Sequence, residues 1–329
     1  MHRSRTLFAG AAALALLALP ARPARAAEGV VSVLTTTTDL ADIVRTVGGE
    51  MVSVKSLCTG PEDPHFLDAR PSFIHMAADA ELLVIVGMEL EVGYLPLMLR
   101  DGSNPRIKPN SPGYLDASAR IRKLQVPEGG VTRAMGDVHP DGNPHYLYDP
   151  ANAGVVAEDV AHALSALRPA AAKGFDDRAK AFRAALSDLL LGAAPAGDAK
   201  GKRTGGMLDR FKPYKGASIV TYHDDLPYLA KRLGLEVAGT LEPKPGVPPT
   251  ARHLADLAER AKAAKVKAVC HEVFQSAGQV DAFAAEIGAR SVLLAHQPGA
   301  VPDATDLLSM YRRNADVLFA ALSAGEAAK

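Results

Sequence analysis

Cysteine is scarce in this chain: its 329 residues include two, Cys58 and Cys270, too few for a disulfide scaffold. Each ends an apolar run, MVSVKSLC and VKAVC, so both read as small buried hydrophobes. A bridge between them, which would hinder relative motion of two halves, is the less favoured alternative. Net charge is also lacking, with 37 basic against 37 acidic residues. The electrostatic footprint of a nucleic-acid or anionic-membrane binder is therefore missing, and no nucleic-acid partner is expected. No self-similarity recurs at a period of about 20 to 50 residues, which excludes a solenoid or propeller. Catalytic signatures are missing too. There is no G-x-S-x-G elbow, and CHEVFQ offers His271 and Glu272 but places Gln275 where a zincin needs its second histidine. An exported zinc hydrolase is thus a remote alternative, and the chain is expected not to be an enzyme.

What is present begins with a leader. Arg3 and Arg5 precede an apolar run from Leu7 to Leu19, and Ala24-Arg25-Ala26 has the small-x-small pattern of a signal peptidase site. Residues 1–26 therefore read as a secretory signal peptide. The run is too short to span a bilayer core of about 30 Å, and no later run is long or apolar enough to do so. No cysteine follows the expected cut, so the sequence predicts a soluble protein in a periplasm rather than a lipid-anchored one. Loss of the leader removes four arginines and leaves about four net negative charges.

The remaining composition, 48% hydrophobic and 22% charged, is that of a globular protein, and its length suits two domains. Strand-like VVSVLT, MVSVKSLC and ELLVIVG alternate with helical patterns such as Leu40, Ile43, Val44 and Val47, the mark of βαβ units on parallel sheets. Helical runs follow Asp149-Pro150 and extend from about Ala170 to Leu191, suggesting a stiff connector. The second half repeats the alternation with ASIVTY, LEVAGT, VKAVC and SVLLA, and ends in a helix expected over Asp303 to Leu322. The expected architecture is α/β, with two lobes, each a mostly parallel sheet flanked by helices, joined by a long rigid helix. The boundaries are 27–168 for the N-terminal lobe, 169–192 for the connecting helix and 193–329 for the C-terminal lobe.

Histidine placement is the informative feature. His65 in PEDPHF, His145 in NPHYLY, His223 in TYHDD and His296 in LLAHQPG follow strand-like runs or sit in loops rich in proline and aspartate. Open α/β sheets bind ligands at the carboxyl ends of their strands, where such loops converge. Imidazoles gathered there suit zinc, copper, nickel or iron. His75, His162 and His253 fall within helical runs and read as structural or surface residues.

The segments PEDPHFLDARPS, NPHYLYDP and TYHDDLPYLAKRLGLEV resemble, in order and spacing, the histidine motifs of the zinc- and manganese-binding periplasmic proteins of metal ABC importers. That resemblance implies one divalent metal ion in the cleft between lobes, held by His65 and His145 from the first and His223 from the second. It further implies delivery to the membrane permease of an ABC transporter, by a protein expected to be monomeric. Histidine at the third position goes with Zn(II), and the glutamate found there in manganese carriers would favour Mn(II). Manganese or iron import is the nearest alternative, followed by a metal-dependent adhesion or chaperone-like role. At the fourth position many members carry aspartate, whereas LLAHQPG offers His296, so either His296 coordinates or water does. Glu272 is expected to orient a ligating histidine or to lie on the surface. The short loop GDVHPDG, with Asp137, His139 and Asp141, stands where zinc-type members have a long histidine-rich loop. It reads as a solvated turn, with transient metal capture as the alternative.

Overall fold

A computed structural model describes residues 29–68, 70–101, 104–129, 138–194, 201–244 and 246–324. The leader, Asp137 and part of the 192–206 loop lie outside them.

The first lobe runs β1 (Val31–Thr35), α1 (Thr38–Gly48), β2 (Val52–Ser56), α2 (Pro71–Asp79), β3 (Leu82–Ile85), α3 (Leu95–Asp101) and β4 (Tyr114–Asp116). All pairings are parallel, in the order β2-β1-β3-β4. Central β3, LLVI, is buried at every position, whereas edge strand β2 alternates between half-buried and exposed residues, as position in the sheet requires. The spacing read in α1 is the face that packs, since Leu40, Ile43, Val44 and Val47 are all 0% exposed. Neither α3 nor β4 was legible in the sequence. The three residues of β4, Tyr-Leu-Asp, are too few to display an alternation.

Two antiparallel helices follow, α4 (Pro150–Leu167) and α5 (Ala172–Leu191). The second lobe comprises α6 (Met207–Phe211), β5 (Ser218–Thr221), α7 (Pro227–Leu233), β6 (Glu236–Thr240), α8 (Ala251–Ala263), β7 (Ala268–His271), α9 (Ala277–Ile287), β8 (Arg290–Leu293) and α10 (Leu307–Leu322). Its sheet repeats the first lobe's topology, all parallel in the order β6-β5-β7-β8. The last helix begins at Leu307 rather than Asp303, because Asp306 and Ser309 form a reciprocal capping box that fixes the first turn there.

Helix α5 is more than a strut between lobes. Its Phe175, Ala179, Phe182 and Leu186 enter the first lobe's core, and Leu190 enters the second's. Ala300, Leu307 and Tyr311 of the second half join that same first core, and the Tyr311 hydroxyl donates to the Leu147 carbonyl at 2.7 Å. The lobes are therefore packed together behind the cleft. Both cysteines are free and buried, one in each lobe. Among the described residues no helix is long and apolar enough to cross a membrane.

Candidate metal centre

Register brings the strand ends level. Thr35 pairs with Ser56 and Val84 in one sheet, Thr221 with Thr240 and Cys270 in the other, so the loops at the carboxyl ends of both sheets open onto one cleft. His65 lies in the loop after β2, His145 in the loop between β4 and α4, and His223 two residues beyond β5.

Their ring centres form a nearly equilateral triangle of 5.1 Å (His65–His145), 5.3 Å (His65–His223) and 5.2 Å (His145–His223). One ring nitrogen from each lies within 4.8 Å of the other two, a spacing that could hold a metal ion. Nε2 of His65 and Nε2 of His145 are buried without hydrogen-bond partners. Such nitrogens cost about 1–3 kcal/mol each when left unmet, so a cation between them would relieve a standing penalty.

Two carboxylates aim the rings. Asp63 accepts both the backbone N–H of His65 (2.9 Å) and its Nδ1–H (2.7 Å), an Asx turn that leaves Nε2 pointing into the cleft. Glu242, just beyond β6, accepts from His223 Nδ1 at 2.8 Å. Carboxylates bound to the remote nitrogen fix the tautomer and raise the basicity of a ligating imidazole. The charges respond accordingly. Burial opposes ionisation of Asp63, but the hydrogen bond and charge of His65 outweigh it and hold the carboxyl below its usual range. For His223, burial opposes the charged ring, yet Glu242 prevails and its pKa stands above 6.5. His145 has no such partner, and burial, reinforced by neighbouring imidazoles, holds it well below its ordinary value. It is a neutral ring, ready to donate a lone pair.

His145 is anchored through Asn143. The Asn143 Oδ1 accepts from the His145 N–H at 3.0 Å, while its Nδ2 donates to the Asp224 carbonyl at 2.7 Å. A first-lobe histidine is thereby tied to the residue following His223.

His296 does not join the three. Its Nε2 donates to the Glu62 carbonyl at 3.0 Å and its ring stands edge-on to Phe274, 5.0 Å between centres, while Nδ1 is buried without a partner. Gln297 Nε2 donates to the Gly60 carbonyl at 3.0 Å, and Thr38 N–H donates to Gln297 Oε1 at 3.0 Å. The loop after β8 thus grips the loop that carries His65. Glu272 differs from expectation as well: it is buried, receives the Tyr148 hydroxyl, and leaves the orienting of His223 to Glu242. The sequence signals for Asp63 and Glu242 are slight, an aspartate two residues before His65 and a glutamate two residues past a strand.

His139 is not the solvated turn residue expected. Its ring centre lies 5.4 Å from that of His65, and its pKa is pushed down to about 3, chiefly by burial and then by the charges of His65 and His223. Asp141 is exposed, near Lys123. His75 and His162 lie exposed on α2 and α4, and His253 Nε2 bonds the Thr240 carbonyl at 2.8 Å.

Together, fold and site define a two-lobed α/β binding protein with a cluster of nitrogen donors in its cleft. Residues 33–321 match the family described as zinc-uptake complex component A periplasmic, ZnuA, and the chain belongs to that family. Among curated relatives, it is 25% identical over 118 residues to the high-affinity zinc uptake system protein ZnuA of Brucella abortus, covering 36% of this chain and 31% of the relative. It is 23% identical over 256 residues to the zinc-binding lipoprotein AdcA of Streptococcus pneumoniae, covering 77% of this chain and 47% of the relative. The matches thus span less than half the length of these relatives. Among solved structures, a cadmium-bound periplasmic metal binding protein of Candidatus Liberibacter asiaticus superposes with a TM-score of 0.70 at 19% identity, over 88% of this chain and 98% of that one. A crystal structure of ZnuA gives 0.69 at 21% identity, over 89% and 99%. At these identities the structural likeness establishes the fold.

Proposed function

We propose that the protein captures a divalent transition metal, Zn(II) before Mn(II), in the cleft between its lobes, and delivers it in the periplasm to the membrane permease of an ABC importer. It acts as a carrier and performs no catalysis. The observation that carries the reading is the triangle of His65, His145 and His223, two of whose rings are pinned by carboxylates. Three clustered nitrogens, with no carboxylate oxygen joining them among the described residues, suit zinc, whereas manganese prefers oxygen donors. The names of the Brucella and Streptococcus relatives point the same way.

The ion enters as substrate. His145, already neutral, need not give up a proton to bind, whereas His223 holds its extra proton more tightly because Glu242 stabilises the charged form. Binding therefore competes with protonation of His223, and affinity falls as pH drops through the raised range in which that ring takes up its proton. Calorimetric titration of untagged protein is expected to give one zinc per chain, bound at least about tenfold more tightly than Mn(II), and more weakly at pH 5.5 than at pH 7.5. Tighter manganese than zinc binding, or affinity independent of pH, would refute the nitrogen-rich centre.

A further inference from the structure

Three histidines leave one corner of a tetrahedral shell to be filled, and the loop that carries His145 brings another imidazole to that corner. The His139 ring lies 5.4 Å from that of His65, nearly as close as the three rings lie to one another. Its Nε2 is buried with no hydrogen-bond partner, the same condition found at Nε2 of His65 and of His145. Three adjacent buried imidazole nitrogens, all unmet, call for one shared electrophile. From the other side, His139, His145 and His223 together line a cavity of about 60 Å³.

Local structure explains how one short loop supplies two rings. The Gly142 N–H donates to the His139 carbonyl at 3.2 Å, closing a turn. Gly142 itself has φ +105°, and a Cβ there would meet the Leu124 carbonyl oxygen at 3.0 Å, so glycine is required for the chain to double back. His139 and His145 flank that turn and reach the same place. Behind His139, the backbone of Met88 and Glu89 lies against the ring. Both residues adopt left-handed φ, 51° and 63°, and the turn they form is held by Glu91, which accepts from the Val86 and Gly87 N–H groups. Strained backbone of this kind persists where the surroundings over-determine it, commonly at ligand sites.

We propose that His139 is the fourth ligand, closing a four-imidazole shell with His65, His145 and His223 around one divalent cation and excluding the water or carboxylate that would admit Mn(II). This rests on the three-histidine centre described above. The His139 nitrogen is not among the donor atoms that already lie within 4.8 Å of one another, so the turn must move inward as the ion binds. Negative charge is then supplied from outside the shell, by Asp63 and Glu242. A fourth nitrogen shifts selection further toward zinc.

The test compares wild type, His139→Ala and His139→Asp as zinc-loaded full-length mature chains, by X-ray absorption and by chelator competition for Zn(II) and Mn(II). Melting of the metal-free proteins reports folding. The expected wild-type spectrum contains four imidazoles, and His139→Ala three plus one oxygen, with zinc affinity lowered at least about tenfold. Manganese affinity should be little changed in His139→Ala and increased in His139→Asp. A wild-type shell of three imidazoles and an oxygen, or an imidazole count unaltered by His139→Ala, would overturn the assignment and leave the three-histidine centre intact. His296→Ala identifies the rival, since loss of an imidazole there and not in His139→Ala would give the fourth position to His296. Zinc binding without imidazole in the wild-type spectrum would overturn both readings.

Discussion

Replacing His145 with alanine is expected to weaken zinc binding by about 100-fold or more, at least the upper end of what removing an orienting partner costs. Its ring sits in contact with those of both His65 and His223, its Nε2 is buried without a partner, and burial keeps it neutral at any physiological pH. The alanine side chain offers nothing in place of that nitrogen, in a pocket whose walls include Leu90, Leu147 and Phe274. The backbone should tolerate the change, since the N–H of residue 145 keeps its bond to Asn143. Titration of the variant alongside its melting curve checks this, and affinity within about threefold of wild type would remove His145 from the shell.

A second large effect is expected far from the cleft. Phe175→Ala should destabilise the fold by about 3–5 kcal/mol, the usual cost of emptying a buried phenylalanine site, or roughly 5–8 °C in melting temperature for a chain of this size. Phe175 is 0% exposed in the first lobe's core. The next turn of α5 is fastened by Arg178, which donates to the Val47 and Gly48 carbonyls at 2.6 and 3.0 Å and lies over the Phe175 ring. Because α5 reaches both cores, the loss should appear as one cooperative transition. Denaturant unfolding showing a cost below about 1 kcal/mol would mean that the helix merely spans the lobes without holding either together. Zinc affinity of the folded variant should be unchanged.

These two sites mark what the sequence could and could not reveal. The βαβ alternation was legible because buried parallel strands such as LLVI, and amphipathic α1 with its Leu40-to-Val47 stripe, express burial directly as residue type. The short elements α3 and β4 were illegible because three to seven residues cannot display a period. Among the site residues, the family motifs marked His65, His145 and His223, and all three meet in space. The family pattern offers His296 at its fourth position, with water as the alternative, yet the ring turns toward the Glu62 carbonyl, an orientation set by packing across the lobes that no local pattern encodes. His139 reads first as part of a solvated turn, with transient metal capture second, for the same reason. A proline- and glycine-flanked histidine reads as solvated until the Met88–Glu89 turn, 50 residues away in sequence, is seen to cover it. Glu242 lies 19 residues beyond His223, and only the parallel pairing of β5 with β6 makes them neighbours.

Imidazoles from both lobes are proposed to share one ion. Anomalous diffraction from crystals of the zinc-loaded protein, recorded on either side of the zinc edge, tests it most directly. A single strong peak is expected in the cleft, with Nε2 of His65, Nε2 of His145 and a ring nitrogen of His223 each about 2.0–2.1 Å away. A peak elsewhere, or one bound by residues of a single lobe, would contradict it.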